Sequence, residues 1–225
     1  MSWDRLFVIW RRPADGTRHV VGELWRDGEG YAFAYWAILP FAEAFSLLPE
    51  FPEHRVSPDT YRASYLFPTF AQRVPSPTRA DIADLMAAWG VEHVDDPLEV
   101  LARSGGVQTT DRLELAEYRP DDDSLERPLE MRVAGATHID DLGTLSAGDP
   151  LDLRREPANP HDPCATLFLF KGEQKIGYVP RQYAAIVARL LDAGTALQAV
   201  AIRRLLLPPE GGRWVVRVSR APALG

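Results

Sequence analysis

Apolar and polar positions in the first part of the chain alternate with the two-residue period of half-buried strands. Residues 5–12 (RLFVIWRR) and 19–25 (HVVGELW) predict two strands joined by the turn Pro13-Ala14-Asp15-Gly16. A second turn at Asp27-Gly28-Glu29-Gly30 leads into Tyr31-Ala32-Phe33-Ala34-Tyr35, where large and small residues alternate as in a third strand. Together these make a small antiparallel meander. Residues 39–77 are rich in proline and aromatics and keep no clean period, which predicts irregular structure with short strands or turns. The period then lengthens. Ile82, Leu85, Met86 and Trp89 fall at i, i+3, i+4 and i+7, predicting a helix entered from Pro77-Thr78, capped by Thr78 and ended by Gly90. A second short helix is expected from Asp96-Pro97 through Leu98, Val100 and Leu101 to Gly105-Gly106.

The strand period returns in the second half. Leu129–Gly135 and Leu151–Arg155 predict strands, the latter with strict alternation, and Thr166–Phe170 turns at Lys171-Gly172 into Lys175–Val179. Pro180 opens a helix whose Ile186, Val187, Leu190 and Leu191 form one apolar face, ending near Gly194. Leu197–Leu207 and Trp214–Val218 are two further strands, separated by Pro208-Pro209-Glu210-Gly211-Gly212. Five or more short strands with one main helix point to a small closed or nearly closed β-barrel. The expected fold class is therefore α+β. It comprises two small domains, an antiparallel meander with helices over 1–117 and an OB-like barrel with one main helix over 129–225, joined by an acidic linker over 118–128.

Charge sharpens this division. The net charge of −7 is spread unevenly: residues 1–127 carry 13 Arg and no Lys against 22 acids, and residues 128–225 carry 12 Lys and Arg against 10 acids. An acidic first half is a poor electrostatic partner for phosphates, so any nucleic-acid contact belongs to the second. Asp121, Asp122 and Asp123 repel one another, which favours a solvated linker. Three adjacent aspartates cannot all point at one ion from a regular element, so no metal is expected there. The single cysteine, Cys164, permits no internal disulfide and no cysteine-based zinc cluster, and His161-x-x-Cys164 offers too few ligands. No run of about 18 apolar residues appears, and MSWDRLFVIWRR reads as a first strand rather than a signal peptide, so the expected location is the cytoplasm.

The densest chemistry lies between Gly148 and Leu191, in Glu156-Pro157-x-Asn159-Pro160-His161-Asp162-x-x-Ala165 and then Ile176-Gly177-Tyr178-Val179-Pro180. The prolines stiffen a loop that carries an amide, an imidazole and a carboxylate in fixed positions. Such groups can recognise a sugar hydroxyl and a base face. The same residue types also make ordinary Asx-turns, and residue types alone leave both readings open.

Two resemblances bear on this. Val21-Gly22-Glu23-Leu24, Tyr31–Tyr35, Leu66-Phe67-Pro68-Thr69-Phe70 and Asp96-Pro97-Leu98 to Gly105-Gly106 resemble, in order over 5–115, the N-terminal subdomain of HipA-like toxin kinases. Val107-Gln108-Thr109-Thr110 stands where that family has a Gly-Ala-containing strand, and the kinase's Gly-rich phosphate loop, catalytic-loop Asp-x-x-x-x-Asn and metal-binding Asp motif are not found downstream. Phosphoryl transfer is therefore not expected.

The second resemblance covers about 128–220. Gly135, Gly148-Asp149, Leu153, the EPxNPHD run, Ala165 and Lys175-Ile176-Gly177-Tyr178-Val179-Pro180 are similar in order and spacing to the HIRAN domain. That family's fold is an OB-like barrel, found alone in bacteria and appended to DNA-repair helicases in eukaryotes. Its activity is binding single-stranded DNA, with preference for a free 3′-hydroxyl. The resemblance implies that Asp162 accepts from the terminal hydroxyl, Asn159 orients the end, and His161, often tyrosine in the family, borders a terminal base. It further implies that Tyr178 touches phosphate or base and that Arg155 and Arg181 contact phosphates. End-binding eukaryotic members carry an Arg-Tyr pair on the first strand where Met131-Arg132 stands here, so Arg132 is the surviving candidate. An aromatic from the late strands closes their pocket, a place assigned to Trp214. These departures favour general nucleic-acid binding over strict 3′-end specificity.

The expected function is thus non-enzymatic binding of single-stranded DNA or DNA ends, with no cofactor. The alternative is a protein-interaction or regulatory module of a toxin–antitoxin-like system acting through the first half. A nuclease would need a carboxylate cluster with lysine or histidine that no spacing in the chain assembles.

Overall fold

The computed structural model describes residues 4–28, 30–40, 44–119, 124–135, 145–205 and 214–222. Two compact units emerge, Met1–Tyr118 and Arg119–Gly225. Each holds one antiparallel sheet.

In the first unit, strands β1 (Arg5–Arg11), β2 (Arg18–Asp27), β3 (Gly30–Tyr35), β4 (Tyr61–Ala63) and β5 (Leu113–Glu117) form a sheet in the order β4-β3-β2-β1-β5. The expected meander is its centre. The proline- and aromatic-rich segment is irregular because its side chains build the core themselves. Phe33 and Phe51 lie 4.4 Å apart, and Phe51 stacks on Phe70. The hydroxyl of buried Tyr35 donates to the Phe51 carbonyl and accepts from the Leu48 amide, both at 2.8 Å. That segment also holds one helical turn, α1 (Pro68–Ala71), whose Thr69 amide donates to Glu50.

Helix α2 (Ile82–Trp89) starts three residues later than expected, with Asp81 rather than Thr78 at the N-cap position. Thr78 does not cap it: its hydroxyl bonds Ser76 Oγ at 2.8 Å, and Arg79 forks onto Asp81, so residues 76–81 close local turns first. Gly90 ends the helix at φ +70° as anticipated. Helix α3 (Pro97–Ser104) follows the sequence reading closely. Asp96 accepts from the amides of Leu98 and Glu99, Pro97 fills the first position, and Gly105 caps the end at φ +76°. Buried Glu99 takes the Glu92 and His93 amides and His93 Nδ1, fixing the entry to α3. Buried Arg73 ties the Thr69 and Gly106 carbonyls to Asp111. Strand β5, not anticipated, pairs with β1.

The second unit comprises β6 (Leu129–Arg132), β7 (Pro150–Arg155), β8 (Thr166–Phe170), β9 (Gln174–Tyr178), helix α4 (Arg181–Asp192), β10 (Leu197–Arg204) and β11 (Trp214–Arg220). The strand order is β6-β11-β10-β7-β8-β9. The two outer members meet again at an antiparallel bridge. Ala134 and Tyr178 exchange both amide hydrogen bonds, at 2.9 and 2.8 Å, so the sheet closes on itself there. One face is apolar: Leu129, Met131, Val133, Phe168, Ile176, Val216 and Val218 are buried. On the outer face α4 packs against β8, with Ile186, Val187 and Leu190 buried.

Part of the expected linker belongs to this unit. Leu125 is fully buried, Arg119 donates to the carbonyls of Arg127 and Pro128, and Arg220 reaches the Ser124 carbonyl. Burial of one leucine and these carbonyl contacts outweigh the polar composition that suggested a free tether. Asp121 to Asp123 and the expected turn at 208–212 lie outside the described residues.

Candidate nucleic-acid interface

The loop between β7 and β8 carries the first motif and the end of β9 the second. Glu156 joins them. Its Oε2 accepts from Asn159 Nδ2 at 3.1 Å and from the Tyr178 hydroxyl at 3.0 Å. Lys175 Nζ in turn donates to the Tyr178 oxygen at 3.0 Å, with its ammonium 4.2 Å from the ring centroid. A cation, a phenol, a carboxylate and an amide thus form one hydrogen-bonded chain across a loop and a strand. Neither Glu156 nor Lys175 is among the site residues expected from the sequence. Glu156 stands three residues before Asn159 and Lys175 three before Tyr178, so each local half of the chain shows in the spacing, but the Glu156–Tyr178 link across 22 residues does not.

Within the loop the ordinary Asx-turns are formed. Asn159 Oδ1 accepts from the His161 amide at 3.0 Å, and Asp162 Oδ1 from the Cys164 amide at 2.8 Å. Asp162 Oδ2 and the exposed His161 ring have no hydrogen-bond partner among the described residues, so the turns hold the backbone while these groups face outward.

Arg155 serves the loop differently from the expected phosphate contact. It donates to the carbonyls of Ala165 (2.7 Å) and Pro163 (3.1 Å) and forks onto Asp192 at 3.0 and 3.2 Å, so it staples the motif loop to the end of α4. Arg181 is exposed at the first position of α4, just after Pro180. Arg132 lies two residues before Ala134 on β6 and therefore on the same outward face as Tyr178, which pairs with Ala134. Trp214 is a correction: it is 5% exposed and shares the inward face of β11 with Val216 and Val218, so it offers no ring to a ligand. The structure therefore links Asn159 and Tyr178 through Glu156, keeps His161 and Asp162 on the same loop as Asn159, puts Arg132 on the Tyr178 side of the closing bridge, and removes Trp214 to the core.

Gly177 makes the second motif possible. Its φ is +138°, and a Cβ there would sit 2.4 Å from Val133 Cγ1 and 2.5 Å from the Ala134 carbonyl oxygen. Only a residue without a side chain lets β9 approach the end of β6 closely enough to form the bridge. Among the described residues, no group of three or more His, Cys, Asp and Glu is placed to hold a metal ion, and no helix is long and apolar enough to cross a membrane.

A family model described as the HIRAN domain matches residues 128–204. Two solved structures are similar to part of the chain. One is the crystal structure of the HIRAN domain of human HLTF, at 17% identity and TM-score 0.36, covering 41% of this chain and 74% of that one. The other is a protein from Lactobacillus plantarum, at 23% identity and TM-score 0.32, covering 41% of this chain and 97% of that one. No curated protein matches the chain. The match at 128–204 takes in the whole EPxNPHD and IGYVP constellation and stops before β11.

Proposed function

We propose that the second unit binds single-stranded DNA at the face bearing Asn159, His161, Asp162 and Tyr178, and that it does so without catalysis. The observation that carries this reading is the chain Lys175–Tyr178–Glu156–Asn159, which locks two separate motifs into one rigid outward surface. The HIRAN match over 128–204 supports the same reading. Rigidity matters because a preorganised site loses less entropy on binding. The exposed His161 ring and the half-buried Tyr178 ring supply stacking surface, at ~1–3 kcal/mol per stacked base. The exposed Arg181 supplies charge for a phosphate.

The finer element of the proposal concerns strand ends. Asp162 Oδ2 is an acceptor that attracts a hydroxyl and repels a phosphate, which suits it to a free 3′-hydroxyl. A hydrogen bond to a charged acceptor contributes ~1.5–3 kcal/mol, or roughly 10- to 100-fold in affinity. Fluorescence anisotropy with short single-stranded oligonucleotides ending in 3′-hydroxyl or 3′-phosphate tests both levels. The hydroxyl end should bind at least about tenfold more tightly, and His161→Ala with Asp162→Ala should remove that preference while the protein stays folded. Equal binding of both ends limits the site to general single-strand recognition. No binding at low salt ends the proposal.

A further inference from the structure

Lysine is scarce in this chain. Lys171 and Lys175 stand against 23 arginines, and both lie on the β8–β9 hairpin that leads into the second motif. Lys175 and Tyr178 are three residues apart, a spacing that in a regular strand sends two side chains to opposite faces. The ladder with β8 reverses this. Phe168 pairs with Gly177 and Leu169 with Lys175, so Ile176 is an extra residue in β9. Tyr178 pairs with Leu167, two residues from Leu169, and the bulge therefore puts Lys175 and Tyr178 on one face. Both leucines are buried, whereas Lys175 is exposed and Tyr178 half-buried.

Hydrogen-bond polarity then fixes what this pair presents. An ionised carboxylate only accepts and an ammonium only donates. Glu156 Oε2 therefore takes the Tyr178 proton at 3.0 Å, and the phenol oxygen, its own proton turned toward Glu156, accepts from Lys175 Nζ at 3.0 Å. The ring adds a second restraint, with the ammonium 4.2 Å from its centroid. Among the described residues the Tyr178 oxygen is the one hydrogen-bond partner of Lys175, so two of its three N–H groups are unspent. A guanidinium would lie flat over the ring and cover it, whereas the compact ammonium acts as a point charge beside it. Two donors on a full positive charge, held against an aromatic ring, suit a phosphate oxygen next to a stacked base.

We infer that Lys175 is a phosphate ligand of this site, contacting the internucleotide phosphate next to the base at Tyr178, and that Glu156 positions it through the Tyr178 hydroxyl. The inference rests on the proposed single-strand binding and adds a backbone contact to it. Asp162 and Lys175 divide the strand by the sign of their charge. Asp162 Oδ2 takes a donor hydroxyl at the end, and Lys175 takes an anionic oxygen a short way along the strand. Because the ammonium is already anchored at its tip, little side-chain entropy is lost when the phosphate docks.

Single methylphosphonate linkages, which replace one charged phosphate oxygen by a methyl group, test this. Short oligonucleotides with a 5′ label and a free 3′-hydroxyl carry the substitution at the first, second or third linkage from the 3′ end. They are titrated by anisotropy with the wild type, Lys175→Met, Tyr178→Phe and Glu156→Gln. The wild type should lose about tenfold at one of these linkages. Lys175→Met should bind the unmodified strand about tenfold more weakly and lose nothing further at that linkage, while keeping the wild-type losses at the other two. Tyr178→Phe keeps the ring but removes the anchoring oxygen, and the amide of Glu156→Gln can donate to the phenol in place of Lys175, so in both the loss at that linkage should shrink. Lys175 is exposed, so its variant should keep the wild-type urea midpoint. If the wild type loses affinity at no linkage, or Lys175→Met shows every wild-type loss undiminished, the phosphate contact is refuted and single-strand binding stands. An undiminished loss in both Tyr178→Phe and Glu156→Gln refutes the positioning role. If the wild type does not bind the unmodified strand, the contact and the proposed function both fall.

Discussion

Gly177→Ala is the substitution that most directly tests how the second unit is closed. The new Cβ meets Val133 Cγ1 at 2.4 Å and the Ala134 carbonyl oxygen at 2.5 Å. Val133 is 2% exposed and has little room to turn away, and the carbonyl is itself the acceptor for the Tyr178 amide. Two costs therefore add. A non-glycine residue at φ +138° carries backbone strain of ~1–3 kcal/mol. Displacing the Ala134 carbonyl loosens the two bridging hydrogen bonds, at ~0.5–1.5 kcal/mol each. The sum of about 2–6 kcal/mol is a large part of the ~5–15 kcal/mol that a typical domain has in total. Urea unfolding followed by circular dichroism measures the loss, and hydrogen exchange at the Ala134 and Tyr178 amides locates it. Gly16→Ala is the control: φ is +74° but nothing lies within 4 Å, so it should cost only ~1–2 kcal/mol, in the first unit. Tyr178 also bonds Glu156, so single-strand affinity should fall in the Gly177 variant even where the unit remains folded. A cost below about 1 kcal/mol with both amides still protected would refute the argument that close approach at Gly177 seals the sheet.

Two predictions concern the first unit. Burial pushes the Tyr35 hydroxyl up to about 12, against the opposing hydrogen bond from the Leu48 amide. The folded state then holds its proton where the unfolded chain, titrating near 10, has released it. The associated stability is fully present below about pH 10 and is lost as pH rises toward 12, and Tyr35→Phe should flatten that alkaline decline in urea titrations. Glu99→Ala leaves the Glu92 and His93 amides without their acceptor beside α3, which should destabilise the first unit by ~2–4 kcal/mol by thermal or urea unfolding. Glu99→Gln retains an acceptor oxygen and should cost less.

Much of this architecture could be read from residue spacing, and the exceptions share a cause. The strands of the meander, the barrel strands and α4 follow from periods of two and of 3.6 that the core enforces. Asp96, Pro97 and Gly105 bounded α3 correctly because capping is local chemistry. Thr78 misled because Ser76 and the Arg79–Asp81 fork offered nearer partners than the helix amides. Leu113–Glu117 does alternate, but five residues between a glycine pair and an acidic stretch do not announce a strand. For the site, the polar loop and its turns were legible, while the hub at Glu156 was not, because its link to Tyr178 spans 22 residues and exists only once β8 and β9 pair. Trp214 was misassigned for a similar reason. Which face of β11 looks inward is set by its register with β6 and β10, not by its own composition.

The strand order has a consequence for how the protein comes off the ribosome. The first strand of the second unit, β6, finds its ladder partner in the last, β11, where Leu129–Arg132 pair with Val215–Val218. Translation at ~5–20 residues per second separates the two by several seconds to well over ten. Through that interval β6 has no neighbour except what the Ala134–Tyr178 bridge provides, and β10 has one open edge. The segment 128–204 that carries both motifs is thus synthesised before the strand that completes its sheet. Vectorial synthesis delivers the EPxNPHD loop early and the closure late, so the nascent chain carries both motifs on a sheet still waiting for its keystone.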